Sequence, residues 1–569
     1  MKKIVALLLV LSTLGSTALA FTFPEPDWGA LLAEKTQMVS ETDFELYVEG
    51  STNGAYYTGA KLEPSAGTYF GIIAENSDFV SNPGAYLTYF DMDSRQSDIY
   101  YPANTIIKNS NAVVTIGYTV NSLDNVAYGA VKTALDTLSK FNKPMFIRFA
   151  NEMNISSLGD DPTKYVDVFR KVADMIHQYP QFAVVWSPND MGALDRPFKH
   201  FYPGDEYVDW IGVSSYVKKY FQGKRDTLDK DARYFMTGDY AWTTNALKPL
   251  IKFMEDNNIT KPIMISEGGV ATENSYGENL EVWATPRLRN MYYNTIMKYP
   301  QVKLINYFNT CRINEKERFY VSDNHTAGAV NKQYAMDILN EASVFGAYIK
   351  QGQTKSEFVF EKAEKGSTLN AKNGIVNLYT LAHIPGKPNI SVNYKIDGVW
   401  YHSASAAPYI CGLSVNTLSD GAHTVEISAE GISKSYTFYK SGNSISFGEM
   451  PHSSIGILVN GTPLAFDPGA EAQIVDDRTM VPLRAIFEAL NVQVNWDGDT
   501  KTVTATGRGR QIALTIGQKE ISVNGIKTEI DVPAMIISDR TMVPVRAVAQ
   551  SLGCTVDWIA ETKTVVITG

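Results

Sequence analysis

The stretch Phe146-Ile-Arg-Phe-Ala-Asn-Glu-Met-Asn154 begins as a strand and ends as a cluster of polar side chains. Its first residues are apolar and aromatic, which is typical of a strand that is covered on both faces. An arginine, two asparagines and a glutamate stand where the apolar run ends. Functional side chains of parallel α/β folds lie at the carboxyl ends of the strands, so this pattern predicts a site that contains a carboxylate.

Seven similar apolar runs occur between residues 65 and 350, and amphipathic helical patterns separate several of them. The eight predicted strands are Tyr69–Ile73, Ala85–Phe90, Ala112–Tyr118, Met145–Ala150, Phe182–Trp186, Trp210–Ser214, Pro262–Ser266 and Val302–Phe308. The clearest predicted helices are Tyr128–Phe141, Thr163–Tyr179, Asn245–Asn257 and Pro286–Tyr299. Eight units of this kind predict an α/β fold, a (β/α)8 TIM barrel. A doubly wound open sheet is the alternative, but Gly71-Ile-Ile-Ala-Glu-Asn76 is not the glycine-rich loop that usually follows its first strand.

The N-terminus reads as a secretory signal peptide at residues 1–20. It combines Lys2-Lys3, the apolar run Ile4–Leu11 and the small-residue pattern Ala18-Leu19-Ala20. The catalytic domain is then expected at residues 21–350, in a protein that is secreted and extracellular or associated with the cell wall. No later apolar run reaches the roughly 18 residues that a membrane-spanning helix needs.

Charge and cysteine content exclude several classes of protein. The net charge is 51 − 61 = −10 and no basic cluster is present, which argues against a nucleic-acid partner. The three cysteines, Cys311, Cys411 and Cys554, are scattered and odd in number, so a disulfide framework is not expected. Stability must therefore come from packed cores.

After the polar segment Gln351–Ser356, the hydrophobic period changes to 2. Val392–Ile396 and His423–Ser428 alternate as half-buried antiparallel strands do, so residues 357–445 are predicted to form an all-β sandwich. The segment that contains Asp397-Gly-Val-Trp400 resembles bacterial immunoglobulin-like (Ig-like) modules found beside secreted sugar hydrolases. A β-rich extension of the barrel is the alternative.

The C-terminal segment contains one unit twice. Arg478-Thr-Met-Val-Pro-Leu-Arg484 recurs as Arg540-Thr-Met-Val-Pro-Val-Arg546, at an offset of 540 − 478 = 62 residues. Residues 455–569 are therefore predicted to form a duplicated α+β domain, each repeat with a helix that begins at the Val-Pro pair. The pattern resembles the copper amine oxidase N-terminal (stalk) domain.

That resemblance does not imply copper in this chain. Residues 453–569 contain no histidine and one cysteine, Cys554, whereas imidazole and thiolate are the ligands that copper prefers. We therefore predict no metal and no cofactor, and a spacer or attachment role for this domain, with a cell-wall polymer as its partner. In the barrel segment His177, His200 and His325 all lie away from the strand ends, which leaves a metal site or a Ser-His-Asp triad without its imidazole.

Two glutamates end predicted strands on opposite sides of the barrel. Glu152 follows the fourth strand and Glu267 follows the seventh, so their carboxylates are expected to face each other across the mouth. Cleavage of a glycosidic bond needs two carboxyl groups in this arrangement. Ordinary structural roles are the alternative, because a glutamate at a strand end also caps helices and Arg148 could form a buried structural ion pair.

The strand ends resemble those of a known enzyme clan. Asn151-Glu152 and Glu267 resemble the acid/base and the nucleophile of the retaining glycoside hydrolases of clan A. Trp186-Ser-Pro-Asn189, Asp209–Tyr216 and Ile265–Gly269 are similar to its β-mannanase family, family 26. One residue departs from that family, because its mannanases usually have histidine where this chain has Asn151.

The resemblance implies specific roles. Glu152 would be the general acid/base and Glu267 the nucleophile of a double displacement, with about 5–5.5 Å between their carboxyl groups. Asn151 would donate to the sugar 2-hydroxyl, Arg148 would keep Glu267 ionised, and Tyr216 would donate to it. Asn189 is a further substrate-binding candidate. The aromatic candidates for sugar platforms are Tyr89, Phe90, Trp186, Trp242, Tyr307 and Phe308, with Trp186 and Tyr307 preferred.

The expected function is the hydrolysis of a polysaccharide within its chain, with β-mannan or a related β-glycan as substrate. The rival is a non-catalytic carbohydrate-binding or wall-architectural protein whose barrel has lost turnover. The presence of both glutamates favours the enzyme.

Overall fold

The computed structural model describes residues 41–91, 98–189, 196–217, 247–273, 279–310, 319–323, 330–363, 368–385, 387, 389–447, 455–464, 466, 471–537, 540–559 and 563–569. They divide into two compact units. The first contains the described residues up to Glu361 together with Tyr379–Val392 and Ser403–Ile410, and the second contains the remainder up to Gly569. The predicted signal peptide lies outside the described residues. Within those ranges, we find no helix with the length and apolar character needed to cross a bilayer.

The first unit contains a closed barrel of eight parallel strands, β1 to β8. They are Thr68–Ile73, Ala85–Asp91, Val113–Thr119, Met145–Phe149, Phe182–Trp186, Trp210–Val217, Ile263–Val270 and Val302–Tyr307. Each strand pairs with the next, and β1 pairs with β8 through Tyr69 and Leu304, which closes the sheet. The predicted TIM barrel is therefore confirmed, and the open sheet is excluded.

Side chains that point inward along the strands form layers. The layer at the amino end is apolar, and Phe146, Val185, Trp210, Met264 and Leu304 are among its members. Two residues further along the same strands, small and polar residues replace them. This second layer contains Gly71, Thr115, Arg148, Ser187, Gly212, Ser266 and Asn306.

The second layer is held together by hydrogen bonds and close packing. Ser187 Oγ donates to Ser266 Oγ at 3.0 Å, and Asn306 Nδ2 donates to Thr115 Oγ1 at 3.2 Å. Gly212 must lack a side chain, because a Cβ there would lie 2.1 Å from Ser266 Oγ. The barrel interior is thus polar directly beneath its carboxyl end.

Helices cover the outside of the barrel. Those of the described residues are Ala103–Lys108, Tyr128–Ser139, Pro162–Ile176, Lys248–Asp256, Glu281–Tyr292, Asn294–Lys298 and Gln333–Val344. Single 3₁₀ turns lie at Ala74–Asn76, Met153–Ile155, Ser157–Gly159, Phe198–His200, Asp205–Tyr207 and Val415–Thr417.

Pro162 and Pro286 each lie in the first two turns of a helix, and only Pro162 begins one. Pro162 begins its helix after Asp161, whose carboxylate accepts from the Lys164 N–H at 3.0 Å, a standard N-cap. The prediction that a helix begins at Pro286 was wrong. That proline lies inside the helix Glu281–Tyr292, in its second turn.

Further strands lie outside the barrel. One sheet has four strands, in the order Val359–Lys362, Asp43–Gly50, Ile375–His383 and Tyr409–Ser414. Another has six strands, in the order Thr368–Asn370, Ser444–Phe447, Ile432–Ser441, Gly421–Ala429, Val392–Ile396 and Val399–Ala404. Short strands lie at Ser322–Asp323 and Val330–Asn331, and Tyr348–Ile349 pairs parallel with Thr68 and Tyr69 of the barrel sheet. The domain predicted at residues 21–350 includes Asp43–Gly50, which lies in the four-stranded sheet and not in the barrel. The Ig-like identity of the sandwich stays a prediction.

The C-terminal segment is rich in strands, as predicted, and its two repeats have the same plan. Its strands are Gly456–Val459, Thr462–Pro463, Gln473–Val475, Arg478–Pro482, Gln493–Asp497, Thr502–Gly507, Arg510–Thr515, Glu520–Val523, Ile526–Glu529, Met535–Ile537, Arg540–Pro544, Thr555–Ile559 and Thr564–Thr568. Its two helices are Leu483–Ala489 and Val545–Ser551, each of which begins directly after the proline of the repeated motif.

Candidate active site

Glu267 lies within β7 and is almost fully buried. The predicted strand ended at Ser266, but the observed strand continues to Val270, so Glu267 is held by the sheet itself. Its Oε1 accepts a hydrogen bond from Arg148 Nη1 at 2.7 Å. Arg148 is completely buried in the second layer and also donates to Ser187 and Ser214, each at 3.2 Å. The barrel floor thus presents a fixed cation to this carboxylate.

Two tyrosines also donate to Glu267. The Tyr216 hydroxyl donates to Oε2 at 2.9 Å, and the Tyr89 hydroxyl forms a further hydrogen bond to the carboxylate. Tyr89 reaches this position across Gly117, where a Cβ would lie 2.5 Å from the tyrosine ring. Burial raises the pKa of both phenols well above its usual range, so both remain donors.

These contacts determine the charge of Glu267. Burial by itself acts to raise its pKa, but the charge of Arg148 and the hydrogen bonds from Tyr89, Arg148 and Tyr216 outweigh burial. The pKa of Glu267 is therefore held below its usual range. Glu267 is thus an anion at the carboxyl end of the barrel.

Glu152 stands on a left-handed turn directly after β4. Ala150 and Glu152 have φ values of 47° and 56°, a conformation that costs energy for residues with a side chain. The turn is held because the Glu152 N–H donates to the Ser187 carbonyl at 2.8 Å. This hydrogen bond fixes the direction in which the Glu152 side chain leaves the backbone.

A pair of asparagines positions the Glu152 carboxylate. Asn189 Nδ2 donates to Glu152 Oε1 at 2.8 Å. Asn154 in turn clamps Asn189, since its amide donates to the Asn189 carbonyl and accepts from the Asn189 N–H, both at 2.8 Å. Asn154 was missed at the sequence level because it follows the strand end on a turn, and no strand periodicity predicts where it points.

The environment of Glu152 raises the pKa of its carboxyl group, whereas the pKa of Glu267 is lowered. Burial, followed by the negative charge of Glu267, raises the pKa of Glu152 above its usual range, against the opposing hydrogen bond from Asn189. Ser214 also forms a hydrogen bond with Glu152 and accepts one from Arg148, so the two glutamates belong to one network. One carboxyl group is therefore biased toward the acid and its neighbour toward the anion.

The aromatic candidates fall into two groups. Tyr89 and Phe308 lie at the mouth, where Phe308 also contacts Tyr216 edge-on with ring centres 6.1 Å apart. Phe90 is buried against Tyr118, and Trp242 lies outside the described residues.

The preferred platforms, Trp186 and Tyr307, do not fit that role. Both side chains are fully buried. Each follows an inward-pointing residue, Val185 or Asn306, so strand alternation turns its own side chain outward toward the helices. Trp186 packs on Phe198, and the Tyr307 hydroxyl donates to the Phe319 carbonyl at 2.8 Å. Neither ring offers a face to a substrate in the mouth.

Asn151 lies half-buried on the turn between Ala150 and Glu152. No hydrogen bond joins its side chain to another residue that the structure describes. The predicted contact to a substrate hydroxyl stays a prediction. Asn189 donates its amide to Glu152. Its predicted contact with the substrate also stays a prediction.

We expect Arg148→Met to lower the free energy of unfolding by about 3–5 kcal/mol, because it leaves the buried Glu267 carboxylate without its cation. Urea unfolding would measure the loss. The double variant Arg148→Met/Glu267→Gln should recover most of the loss. The control is Lys252→Met, which breaks the exposed pair with Asp256 and should cost about 1 kcal/mol or less. A loss no larger than in this control would contradict the buried-cation argument.

We expect Asn189→Ala to move the basic limb of the pH–activity profile to higher pH. The Asn189 amide stabilises the charged form of Glu152, so its removal raises the pKa further and the acid form persists to higher pH. The profile of kcat/KM against pH measures this shift. Asn294→Ala, which removes a buried amide bonded to Asn290 and Ala382, should leave the limb unchanged. A shift to lower pH would refute the assignment of Glu152 as the acid.

The described residues contain no group of three or more histidine, cysteine or acidic side chains arranged to hold a metal ion. The donors of the C-terminal domain do not fit copper either. Its cysteine, Cys554, is buried, and its sulfur accepts a hydrogen bond from Arg508 Nη1 at 3.0 Å. A guanidinium ion on the sulfur disfavours a second cation there.

Dialysis against EDTA should leave the rate of hydrolysis unchanged, because the candidate groups are carboxylates, an arginine and tyrosines that need no metal. The measurement is the rate before and after chelation, with an untreated sample carried in parallel. A lost rate that returns when one metal is added back would contradict this prediction.

Comparison with known proteins finds family matches for two segments of the chain. Residues 71–274 match the model of glycosyl hydrolase family 26, and residues 458–567 match that of the copper amine oxidase N-terminal domain. Both glutamates, Glu152 and Glu267, lie within the first match. The predicted resemblance to a clan A glycoside hydrolase of family 26, followed by this second domain, is therefore confirmed.

Individual relatives are more distant. A β-1,3-xylanase of Vibrio sp. is 26% identical over 151 residues, 23% of this chain and 32% of that protein, and a β-1,3-xylanase of Alcaligenes sp. is 25% identical over 131 residues, 20% of this chain and 27% of that protein. The chain thus spans about a third of their length. Among solved structures, an endo-β-1,4-mannanase from Cellulomonas fimi has a TM-score of 0.35 at 12% identity, covering 65% of this chain and 93% of the mannanase. A family 26 endo-β-1,4-mannanase from Bacillus sp. JAMB-750 has a TM-score of 0.37 at 14% identity, covering 54% and 99%.

Proposed function

We propose that this chain, whose barrel is a family 26 glycoside hydrolase domain, is a retaining endo-β-glycanase that cleaves a β-linked polysaccharide by double displacement. The N-terminal pattern of residues 1–20 supports export, so we place its activity outside the cell. The polysaccharide substrate is the partner that this proposal requires.

The observation that carries the proposal is the opposite tuning of two carboxyl groups in one hydrogen-bond network. Burial and the charge of Glu267 raise the pKa of Glu152, whereas the charge of Arg148 and the hydrogen bonds from Tyr89, Arg148 and Tyr216 together outweigh burial and lower the pKa of Glu267. A pair of titratable groups whose pKa values are pushed apart indicates which is the acid and which the anion. A glycosidase of the retaining type needs one of each.

In the first step, a carboxylate oxygen of Glu267 attacks the anomeric carbon, and the bond from that carbon to the glycosidic oxygen breaks. Glu152 gives its proton to the departing oxygen, so the leaving chain departs as an alcohol. The sugar is left as an ester on Glu267 and Glu152 as a carboxylate.

In the second step, Glu152 takes a proton from water as the water oxygen attacks the same carbon. The ester bond to Glu267 breaks and the nucleophile returns to its ionised form. Tyr89, Tyr216 and Arg148 hold the Glu267 oxygens by hydrogen bonds before and after the reaction. Two inversions give net retention of the β configuration.

The substrate class is a β-glycan, with β-1,3-xylan and β-mannan as the first candidates. The two curated relatives are named β-1,3-xylanases, and the family resemblance of the strand ends is to β-mannanases. Tyr89, which is partly exposed beside the carboxylates, supplies an aromatic surface, and Asn151 supplies the amide for a sugar hydroxyl.

A substrate screen with an anomeric readout tests the proposal. The full chain would be incubated with β-1,3-xylan, β-1,4-xylan, β-mannan and mixed-linkage β-glucan, and the first product would be followed by proton NMR. The expected result is hydrolysis of one polymer class with the β-anomer formed first. Formation of the α-anomer first would overturn double displacement. Binding of a polymer without any hydrolysis would favour the non-catalytic rival.

A further inference from the structure

The two C-terminal repeats meet at a local twofold axis. Strands Arg478–Pro482 and Arg540–Pro544 pair antiparallel, and Val481 lies opposite Val543. These two valines are equivalent residues, because they differ by the repeat offset of 62. Any feature that one repeat forms with the other is therefore expected twice, once on each side of this axis.

One such feature is a cavity of about 290 Å³ built from both repeats. The first repeat contributes Asp477 and Arg478 to its lining, and the second contributes Arg546, Asp557 and Trp558. Trp558 is 39% exposed, so a face of a large aromatic ring is open to a ligand. The cavity thus combines one aromatic ring with charged groups that donate and accept hydrogen bonds.

A second cavity of about 450 Å³ continues from the first. Arg478, Pro544 and Arg546 line both, so the two form one groove. Thr528, Asp531 and Gln550 are among the side chains of the second part, and Arg478 Nε donates to Asp531 at 2.8 Å. Both volumes are of the size that holds small ligands. Two adjoining cavities suit successive units of a polymer better than one compact molecule.

The charges of the groove indicate whether a charged or a neutral polymer fits it. Its acidic residues are Asp477, Glu529, Asp531 and Asp557, and its basic residues are Arg478 and Arg546. Four carboxylates against two guanidinium groups disfavour a polyanion. A sugar chain without charge fits, because its carbon–hydrogen faces pack on an aromatic ring while its hydroxyls bond to carboxylate, guanidinium and amide groups.

We propose that this groove is a non-catalytic binding site for a neutral polysaccharide chain, distinct from the cleft of the barrel. The twofold axis predicts a second site on its other side, where Trp496 is 44% exposed, Arg484 and Arg540 are the equivalents of Arg546 and Arg478, and Asn495 stands in place of Asp557. Two equivalent sites on one domain bind a long polymer more tightly than either alone, because the second contact is intramolecular.

The test is affinity electrophoresis of the full chain in gels that contain soluble glycans. The background variant Glu267→Gln prevents hydrolysis during the measurement. The probes are the polymer that the wild type hydrolyses, a neutral glycan isolated from bacterial walls, and polygalacturonate as a polyanion. Preference for the first or the second probe distinguishes a substrate polysaccharide from a wall glycan as the source.

Trp558→Ala and Trp496→Ala should each weaken retention on a neutral glycan by about tenfold, because each loses the burial of an aromatic face. The double variant should lose more than either single variant. Arg546→Gln should weaken retention as well, because it removes the guanidinium group but keeps a polar amide. Trp400→Ala is the matched control, since Trp400 is 65% exposed on the strand Val399–Ala404, outside the groove, and should bind as the background does.

Equal retention of Trp558→Ala and the Trp400→Ala control would overturn the proposal, as would retention by the polyanion alone. In the hydrolytic background, Trp558→Ala should cleave a soluble aryl glycoside at the wild-type rate. If the wild type hydrolyses none of the substrates but is still retained by a neutral glycan, the proposed function is refuted and the proposed binding site is not. Intact turnover with unchanged retention would refute the site alone.

Discussion

Glu267→Gln should lower turnover by at least about 10⁴-fold on every substrate, because it removes the carboxylate that forms the glycosyl ester in the proposed mechanism. Steady-state rates on the preferred polymer and on an aryl β-glycoside would measure the loss. The good leaving group of the aryl substrate should not rescue this variant, since the missing step is attack on the carbon rather than departure of the oxygen. The amide keeps the shape of the side chain, so the fold should be retained.

Glu273→Gln is the matched control for this loss. Glu273 is buried to the same degree as Glu267, with exposed fractions of 7% and 6%, but it pairs with Lys332 at 3.2 Å outside the catalytic network. Its variant should keep wild-type turnover within a few-fold. A Glu267→Gln protein that hydrolyses as fast as this control would show that Glu267 is not the nucleophile.

Glu152→Ala should separate the two steps of the reaction. General acid catalysis contributes about 10²–10⁴-fold, so polymers with poor leaving groups should lose that much. Aryl glycosides with acidic leaving groups need no proton and should still form the ester with Glu267. The slow step then becomes attack by water, which lacks its base.

Azide should restore part of the Glu152→Ala rate, because it is a nucleophile that needs no base and fits the space left by the carboxylate. The product should be the β-glycosyl azide, which mass spectrometry and NMR identify. Wild type and Glu267→Gln are the controls, and neither should respond in this way. An α-glycosyl azide, or no azide product, would contradict the assignment of Glu152 to the acid/base role.

The positions of several site residues follow from the alternation of side chains along a strand. Arg148 shares the inward face of its strand with Phe146, so alternation along the strand places it inside the barrel. Its contact with Glu267 then needs only that the fourth and seventh strands face each other. The same alternation excludes Trp186 and Tyr307 from the mouth. Their aromatic rings favour a sugar platform, but each follows an inward-facing residue, so its own side chain points away from the mouth.

Other features depend on contacts that a linear pattern does not contain. Tyr89 was predicted as a sugar platform, and its bond to Glu267 requires the space over Gly117 on the neighbouring strand. Asn154 acts from a turn on the backbone of Asn189, 35 residues away. Strand β7 extends to Val270 because it pairs with Tyr216 and Val217 on β6, although two glycines follow Glu267 in the sequence and suggest an end.

The polar layer inside the barrel has a consequence for what natural selection preserves. A buried ion pair gives a fold little net stability, and replacing one by well-packed apolar side chains is often neutral or stabilising by about 1–4 kcal/mol. A barrel that only has to stay folded could therefore exchange Arg148 and Glu267 together for apolar side chains. In a chain released from hydrolysis, substitutions in this layer would be free to remove the pair. The buried ion pair of this chain is thus explained by the reaction rather than by the stability of the fold.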